Sequence, residues 1–168
     1  MQIIPNFIED KEIQQNIKHT LLEGRRFGYN YCDTVGSDND YSDFYFVHML
    51  YLSSSISDNG ETKVSSTFND ILSPLIGRLK FNYLIRGKVN LYTKKTEPLQ
   101  TEMHRDFPKS HMVGLYSVNT NNGYTLFKDG TRAESVENQM VIFDGNIEHC
   151  SVAQTDTNVR VNININFQ

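Results

Sequence analysis

The sequence has no tryptophan and only two cysteines, Cys32 and Cys150, among 168 residues. Two thiols cannot build a disulfide framework, and they suit a reducing compartment. No run approaches the roughly 18 apolar residues of a membrane span. The opening residues, MQIIPNFIEDKEIQ, lack the basic segment and long apolar stretch of a secretory leader. The expectation is a cytoplasmic protein with no membrane partner. Basic residues are in deficit, 16 Lys and Arg against 20 Asp and Glu, for a net charge of −4. That balance argues against a dedicated nucleic-acid binder, which usually shows a basic face. With 38% hydrophobic and 21% charged residues the chain is neither disordered nor fibrous. The length fits one domain, able to bury roughly 70% of its unfolded surface. Residues 1–168 read as that domain, with a helical layer and a lid loop over 1–80 and a β core over 81–168.

The first third reads as helix, loop, helix. Ile13, Ile17 and Leu21 recur every four positions between Phe7 and Glu23, with Asp10 as cap and Gly24 as stop. From Gly24 to Ser66 the chain is rich in Gly, Ser, Asn, Asp and Tyr, broken by one apolar island from Phe44 to Leu52. A loop of this length inside a domain is usually functional, and it is the candidate lid. Phe68, Ile71, Leu72, Leu75, Ile76 and Leu79 outline a second helix, bent or started at Pro74. After Phe81 the texture changes to short runs of Val, Ile, Tyr, Phe and Thr between turn signals, about seven or eight strands. Closely spaced strands of this kind predict a mainly β fold, a sandwich or small barrel, with the N-terminal helices packed outside.

Two of these strands are sharply two-faced. In the first, Lys88, Asn90 and Tyr92 alternate with Val89 and Leu91. In the second, Arg160, Asn162 and Asn164 alternate with Val161, Ile163 and Ile165. The apolar faces are seats for the helices. The polar faces then turn into the interior, which puts Tyr92 and Arg160 in one cavity. Arg86 shares the polar face and is expected near its rim.

The chemistry-bearing set lies in the same half. His104 and Asp106 stand at i and i+2, on one face of a strand. His149 follows the strand ending at Phe143 and the turn Asp144-Gly145-Asn146. Two histidines and one carboxylate form the facial triad of non-haem Fe(II) sites, which leaves positions open for a chelating cosubstrate and dioxygen. Arg160 lies eleven residues beyond His149. Its planar fork matches a carboxylate, as the far end of a metal-chelating five-carbon diacid would require. Tyr92 would add a phenolic hydrogen bond.

These residues carry a resemblance. NLY at 90–92, HRD at 104–106, NTNNGYTLF at 119–127, FDGNIEHC at 143–150 and RVNININF at 160–167 resemble the 2-oxoglutarate/Fe(II)-dependent dioxygenases of the prolyl-4-hydroxylase-like superfamily. The likeness is to a short form of the kind found in phage genomes, which would place the chain in a host cytoplasm as a viral protein. It covers roughly residues 84–167. The family fold it implies is a double-stranded β-helix, a jelly roll with helices on one outer face. It implies His104, Asp106 and His149 as iron ligands, and Arg160 and Tyr92 as partners of the 2-oxoglutarate distal carboxylate. Asn90 and Asn162 would border that cosubstrate, unless Asn90 simply fills the wet interior; many relatives have Ser or Thr at the position of Asn162. The implied requirements are Fe(II), 2-oxoglutarate and O2, with ascorbate as candidate reductant. The implied reaction is hydroxylation of a C–H bond with release of succinate and CO2. A peptidyl substrate such as proline comes first by resemblance, a small metabolite or free amino acid second, a nucleobase third. Two rival readings are a non-catalytic jelly-roll binding or structural module, and a cupin-like metal enzyme, whose usual H-x-H opening this chain lacks.

Other residues have plainer expectations. His19 is a surface residue, and His48 and His111 are structural, although His48 would also suit a substrate channel. Cys150 is a packed thiol, and Cys32 has no redox partner motif. Asn121-Asn122-Gly123 reads as a turn setting a strand whose Tyr124 and Leu126 border the cavity. Tyr29, Tyr31, Tyr41 and Tyr45 either tether the long loop or form a platform for a substrate ring. Arg25 and Arg26 form a solvated helix end, or attract an anionic substrate.

Overall fold

Two antiparallel sheets frame the computed structural model, which describes residues 1–24, 26–35 and 43–168. Among these residues the strands are β1 (Gln2–Ile4), β2 (Asn30–Cys32), β3 (Tyr45–Leu52), β4 (Lys63–Val64) and β5 (Leu84–Thr93). They continue with β6 (Met112–Ser117), β7 (Asn121–Phe127), β8 (Arg132–Ser135), β9 (Gln139–Asp144), β10 (His149–Val152) and β11 (Val159–Phe167). The larger sheet runs β1-β9-β6-β11-β5-β3-β2, with β4 bonded to β3, and the smaller runs β10-β7-β8. Neighbours far apart in sequence are the mark of a jelly roll. Seven of the strands follow Phe81, within the expected count. Isolated bridges from Gln100 to Val152 and from His104 to His149 add a broken fourth strand beside β10.

Helix α1 (Lys11–Leu22) starts where its cap requires, with the Asp10 carboxylate accepting from the N–H groups of Glu12 and Ile13 at 2.9 and 3.2 Å. The second helical segment is shorter than the spacing from Phe68 to Leu79 suggests. A π-helical turn, Phe68–Leu72, runs into α2 (Ser73–Ile76), and Ser73 N–H bonds back five residues to Phe68 O. Pro74 explains this, because its ring excludes a carbonyl four residues back and it donates no hydrogen bond.

The two-faced strands pack as their alternation dictates. Val89 of β5 and Val161, Ile163 and Ile165 of β11 meet Ile17, Leu21, Ile71, Leu72 and Leu75 in one buried cluster. Gly87, on this same face of β5, leaves the space that Leu72 fills; an added Cβ would press into the fully buried Leu72 side chain. Gly87→Ala is expected to cost about 1–3 kcal/mol by overpacking. Urea unfolding checks it, with a lower midpoint at unchanged slope; an unmoved midpoint would show that Leu72 relaxes freely.

Between the sheets, Val113, Leu115, Phe127, Ala133, Val141 and Phe143 fill one half of the interior. The polar faces of β5 and β11 border the other half, which stays open.

The stretch 24–66 departs from its reading as a loop. The island from Phe44 to Leu52 contains β3, which pairs with β5 from Phe46↔Leu91 to Leu52↔Arg86, and β2 and β4 flank it. Its run YFVHMLYL lacks polar alternation because both of its faces are covered. Part of the lid candidate, residues 36–42 with Tyr41, lies outside the described residues, as does Arg25. Asn121-Asn122-Gly123 is not a free turn. It opens β7 through a register shift between Asn121 and Tyr124, with Asn121 Oδ1 accepting from Gly123 N–H.

Candidate active site

The open half is a cavity of about 250 Å³, which suits a small molecule. Its floor is a ladder of polar pairs across β5 and β11: Arg86↔Asn166, Lys88↔Asn164, Asn90↔Asn162 and Tyr92↔Arg160.

At one end stand His104, Asp106 and His149, each with a potential ligand atom within 4.8 Å of the others. His104 does not sit on a regular strand as expected. It forms a single bridge with His149, their backbones exchanging hydrogen bonds of 2.9 and 3.0 Å. Pro98 and Pro108 flank this segment and cannot donate to a ladder, which keeps it irregular. The bridge nevertheless does the work of a strand, because paired residues project to the same side, and the two rings lie 4.8 Å apart.

Each ring is set by its backbone. His104 Nδ1–H donates to Glu102 O at 3.2 Å, and His149 Nδ1–H donates to Ile147 O at 3.0 Å. That tautomer leaves a lone pair on each Nε2, the form a metal binds. Burial, and then the neighbouring His149, hold the His104 imidazolium below its ordinary range, so this ring is neutral. Asp106 is anchored on both oxygens. Asn166 and Asn164 donate to Oδ2 at 2.8 and 3.1 Å, and Arg86 donates to Oδ1 at 3.1 Å. Burial alone would raise this carboxyl, but Arg86 first, then Lys88, His149 and the Asn166 amide, hold it well below the usual carboxylate range. The donor set is therefore two imidazoles and one ionised carboxylate, which fits a divalent ion.

Arg86 is not at the rim. Its side chain is largely buried, bonds Asp106 and Asn166, and lies 4.5 Å from the Phe107 ring centroid. Sequence reading missed this pairing, since alternation shows which face a residue takes but not which loop returns to it.

At the other end Arg160 is 2% exposed. Its guanidinium donates to Ser135 Oγ at 2.9 Å, Ser151 Oγ at 2.7 Å, Thr125 Oγ1 at 3.3 Å and Val152 O at 3.4 Å. All four acceptors are neutral. No carboxylate among the described residues pairs with it. A buried guanidinium held by neutral acceptors, with the Glu134 carboxylate acting on it only at longer range, is a site for an anion. Tyr92 lies beneath it, with 5.5 Å from guanidinium to ring centroid, and stacks on Tyr45. Burial pushes the Tyr92 phenol up, so it stays a hydrogen-bond donor.

Between the ends, Asn90 Nδ2 donates to Asn162 Oδ1 at 2.9 Å. Lys88 also faces the cavity; burial, and then the Arg86 charge, push its ammonium down to about 8, so it is mostly charged at neutral pH.

The remaining candidates fall elsewhere. Thr125 of β7 lines the cavity, whereas Tyr124 and Leu126, on the alternate positions, do not. His48 is on the helix side of β3, its Nδ1–H donating to Gly28 O and its Nε2 accepting from Ser65. His111 is buried beneath Gly145 with Nδ1 on Lys109 O, and His19 is exposed beside Glu23. Cys150 is buried and Cys32 half-buried. Tyr29 tethers to α1 through Leu21 O, Tyr31 is exposed, and Tyr45 lines the cavity. Arg26 is exposed. Among the described residues no helix is long and apolar enough to cross a membrane.

No family model and no curated protein matches the sequence. Solved structures do match. A prolyl-4-hydroxylase from Pseudomonas putida superposes with a TM-score of 0.57 at 12% identity, over 99% of this chain and 91% of that one. The α-ketoglutarate-dependent carbocyclase SnoK of nogalamycin biosynthesis gives 0.61 at 12%, over 98% and 78%. A 2-oxoglutarate/Fe(II) oxygenase-family oxidoreductase from Burkholderia pseudomallei gives 0.56 at 11%, over 84% and 74%. The chain thus has the jelly-roll fold of the 2-oxoglutarate/Fe(II) oxygenases, with a His-Asp-His cluster inside it. At these identities the likeness is one of fold.

Proposed function

We propose that this protein is an Fe(II)- and 2-oxoglutarate-dependent dioxygenase that hydroxylates a C–H bond of a small-molecule or peptidyl substrate. One observation carries the reading. A single cavity holds a two-histidine, one-carboxylate set at one end and a buried guanidinium held by neutral acceptors at the other. Asn164, which bonds Asp106, and Arg160 are four residues apart on β11, about 13 Å of strand. Side chains reach in from both ends, leaving a span for a short diacid.

In this reading His104, Asp106 and His149 would hold Fe(II). Arg160, with Tyr92, would bind the far carboxylate of 2-oxoglutarate, and Asn90 and Asn162 would border its chain. Bound iron and cosubstrate would supply the oxidation, with one oxygen atom of O2 entering succinate and the other the product alcohol as CO2 leaves; ascorbate would serve only to re-reduce iron oxidised off this path. The protein's residues orient and exclude. The Glu102 and Ile147 carbonyls fix the imidazole tautomers, Asn164 and Asn166 fix the carboxylate, and Ser135, Ser151 and Thr125 aim the guanidinium. Leu115 and Phe143 give the cavity a dry wall.

Anaerobic titration with ferrous iron and then 2-oxoglutarate tests it. A visible charge-transfer band is expected only when both are present, and His104→Ala should remove it. Folded protein that binds iron without the band would overturn the 2-oxoglutarate reading. Failure to bind iron would favour a non-catalytic binding module.

A further inference from the structure

One buried cation of the cavity contacts neither the metal set nor the far-carboxylate site, although its charge helps keep Asp106 ionised. Lys88 projects from β5 between Arg86 and Asn90, opposite Asn164 of β11. No carboxylate among the described residues lies within ion-pair distance of its ammonium. Its ammonium lies against Tyr45, with the hydroxyl at 3.5 Å and the ring centroid at 5.6 Å. An ammonium buried in this way needs an anion.

Two amide oxygens beside it are also unspent. Oδ1 of Asn90 and Oδ1 of Asn164 are buried with no hydrogen-bond partner, in residues 3% and 6% exposed. The Asn164 amide cannot be turned round, because its Nδ2 donates to Asp106, and an ionised carboxylate only accepts. Its Oδ1 therefore awaits a donor.

Charge points the same way. Arg86, Lys88 and Arg160 line the cavity against one carboxylate, Asp106. A divalent ion and a dianionic cosubstrate would cancel each other, so the cationic excess remains for a third molecule. Four residues, about 13 Å of strand, separate Lys88 from the Tyr92–Arg160 pair, so an anion at Lys88 is not the one at Arg160.

We propose that Lys88 and the amide oxygens of Asn90 and Asn164 form a second carboxylate subsite, which seats the substrate, a small free acid of the α-amino acid type with a hydrogen-bond donor beside its carboxylate. The proposal rests on the dioxygenase reading and narrows its substrate. A peptide bond at that position would remove the charge Lys88 requires, and the cavity volume suits a free molecule.

The test uses the whole protein loaded with Mn(II) and saturated with N-oxalylglycine, a 2-oxoglutarate mimic that is not decarboxylated. Free L-amino acids and their carboxamides are titrated by saturation-transfer NMR and thermal shift. At least one acid is expected to bind, with its carboxamide at least about tenfold weaker. Lys88→Met should weaken the acid by about tenfold or more and leave N-oxalylglycine within about threefold, while Lys88→Arg, which keeps the charge, retains the acid. Acid binding unchanged in Lys88→Met overturns the subsite, as does a wild type that binds N-oxalylglycine but no acid. Loss of N-oxalylglycine in Lys88→Met also overturns it, by assigning Lys88 to the cosubstrate. Acid binding through Lys88 without any N-oxalylglycine binding leaves the subsite standing and overturns the dioxygenase reading instead.

Discussion

Replacing Arg160 with methionine is expected to raise the dissociation constant for 2-oxoglutarate by roughly 30-fold to 5,000-fold, because truncating one partner of a buried charge pair costs about 2–5 kcal/mol. The fold should survive. The wild-type guanidinium is buried among neutral acceptors, so the ligand-free protein gains no ion pair from it. Methionine keeps the volume, removes an unbalanced charge, and leaves three hydroxyls that turn to other partners. Stability should therefore move by no more than about 1–2 kcal/mol while affinity collapses. Arg160→Lys separates charge from shape, since lysine restores the charge but not the planar fork and should recover affinity only in part. Isothermal titration of Mn(II)-loaded protein reads the affinity and urea unfolding reads the stability. Wild-type affinity in Arg160→Met would detach this residue from the cosubstrate.

The alternation of β5 and β11 shows why this cavity was legible in the amino-acid sequence. A strand with a period of two states which side chains share a face. The opposite, apolar face demands a cover, and the sequence offers helices for it. Lys88, Asn90, Tyr92, Arg160 and Asn162 follow from that one pattern, and all line the cavity. What stayed hidden has a physical cause in each case. β3 is apolar and aromatic but for His48 and set in a polar stretch, so it shows neither period. The segment around His104 reaches its place through one bridge, which no period encodes. The bulge at Asn121 carries the residue types of a turn. Arg86 and Asp106 meet across twenty residues of sequence, through a loop whose path propensity does not give.

That last pair sets the second large expectation. Arg86→Met should lower the melting temperature of the metal-free protein substantially, and Mn(II) should restore more of it than Mn(II) adds to the wild type. In the metal-free protein Arg86 neutralises Asp106, both side chains being largely buried. Breaking such a pair costs about 3–5 kcal/mol, because the remaining charge is left without a partner. For a domain of this size that corresponds to roughly 6–20 °C. A divalent ion at Asp106, His104 and His149 supplies the missing positive charge, so binding and folding become more tightly linked in the variant. The reverse variant, Asp106→Ala, strands Arg86 instead. It should be destabilised to a similar extent and gain nothing from Mn(II). Replacing both together, with Arg86→Met and Asp106→Leu, removes the two charges at once and should recover most of the stability with no response to metal. Differential scanning fluorimetry of the four proteins, with and without Mn(II), distinguishes the cases. An Mn(II) shift no larger in Arg86→Met than in the wild type would mean that the ion does not share Asp106 with the guanidinium. The carboxylate would then be a structural anchor for Arg86, and the two histidines would have to find their third ligand elsewhere.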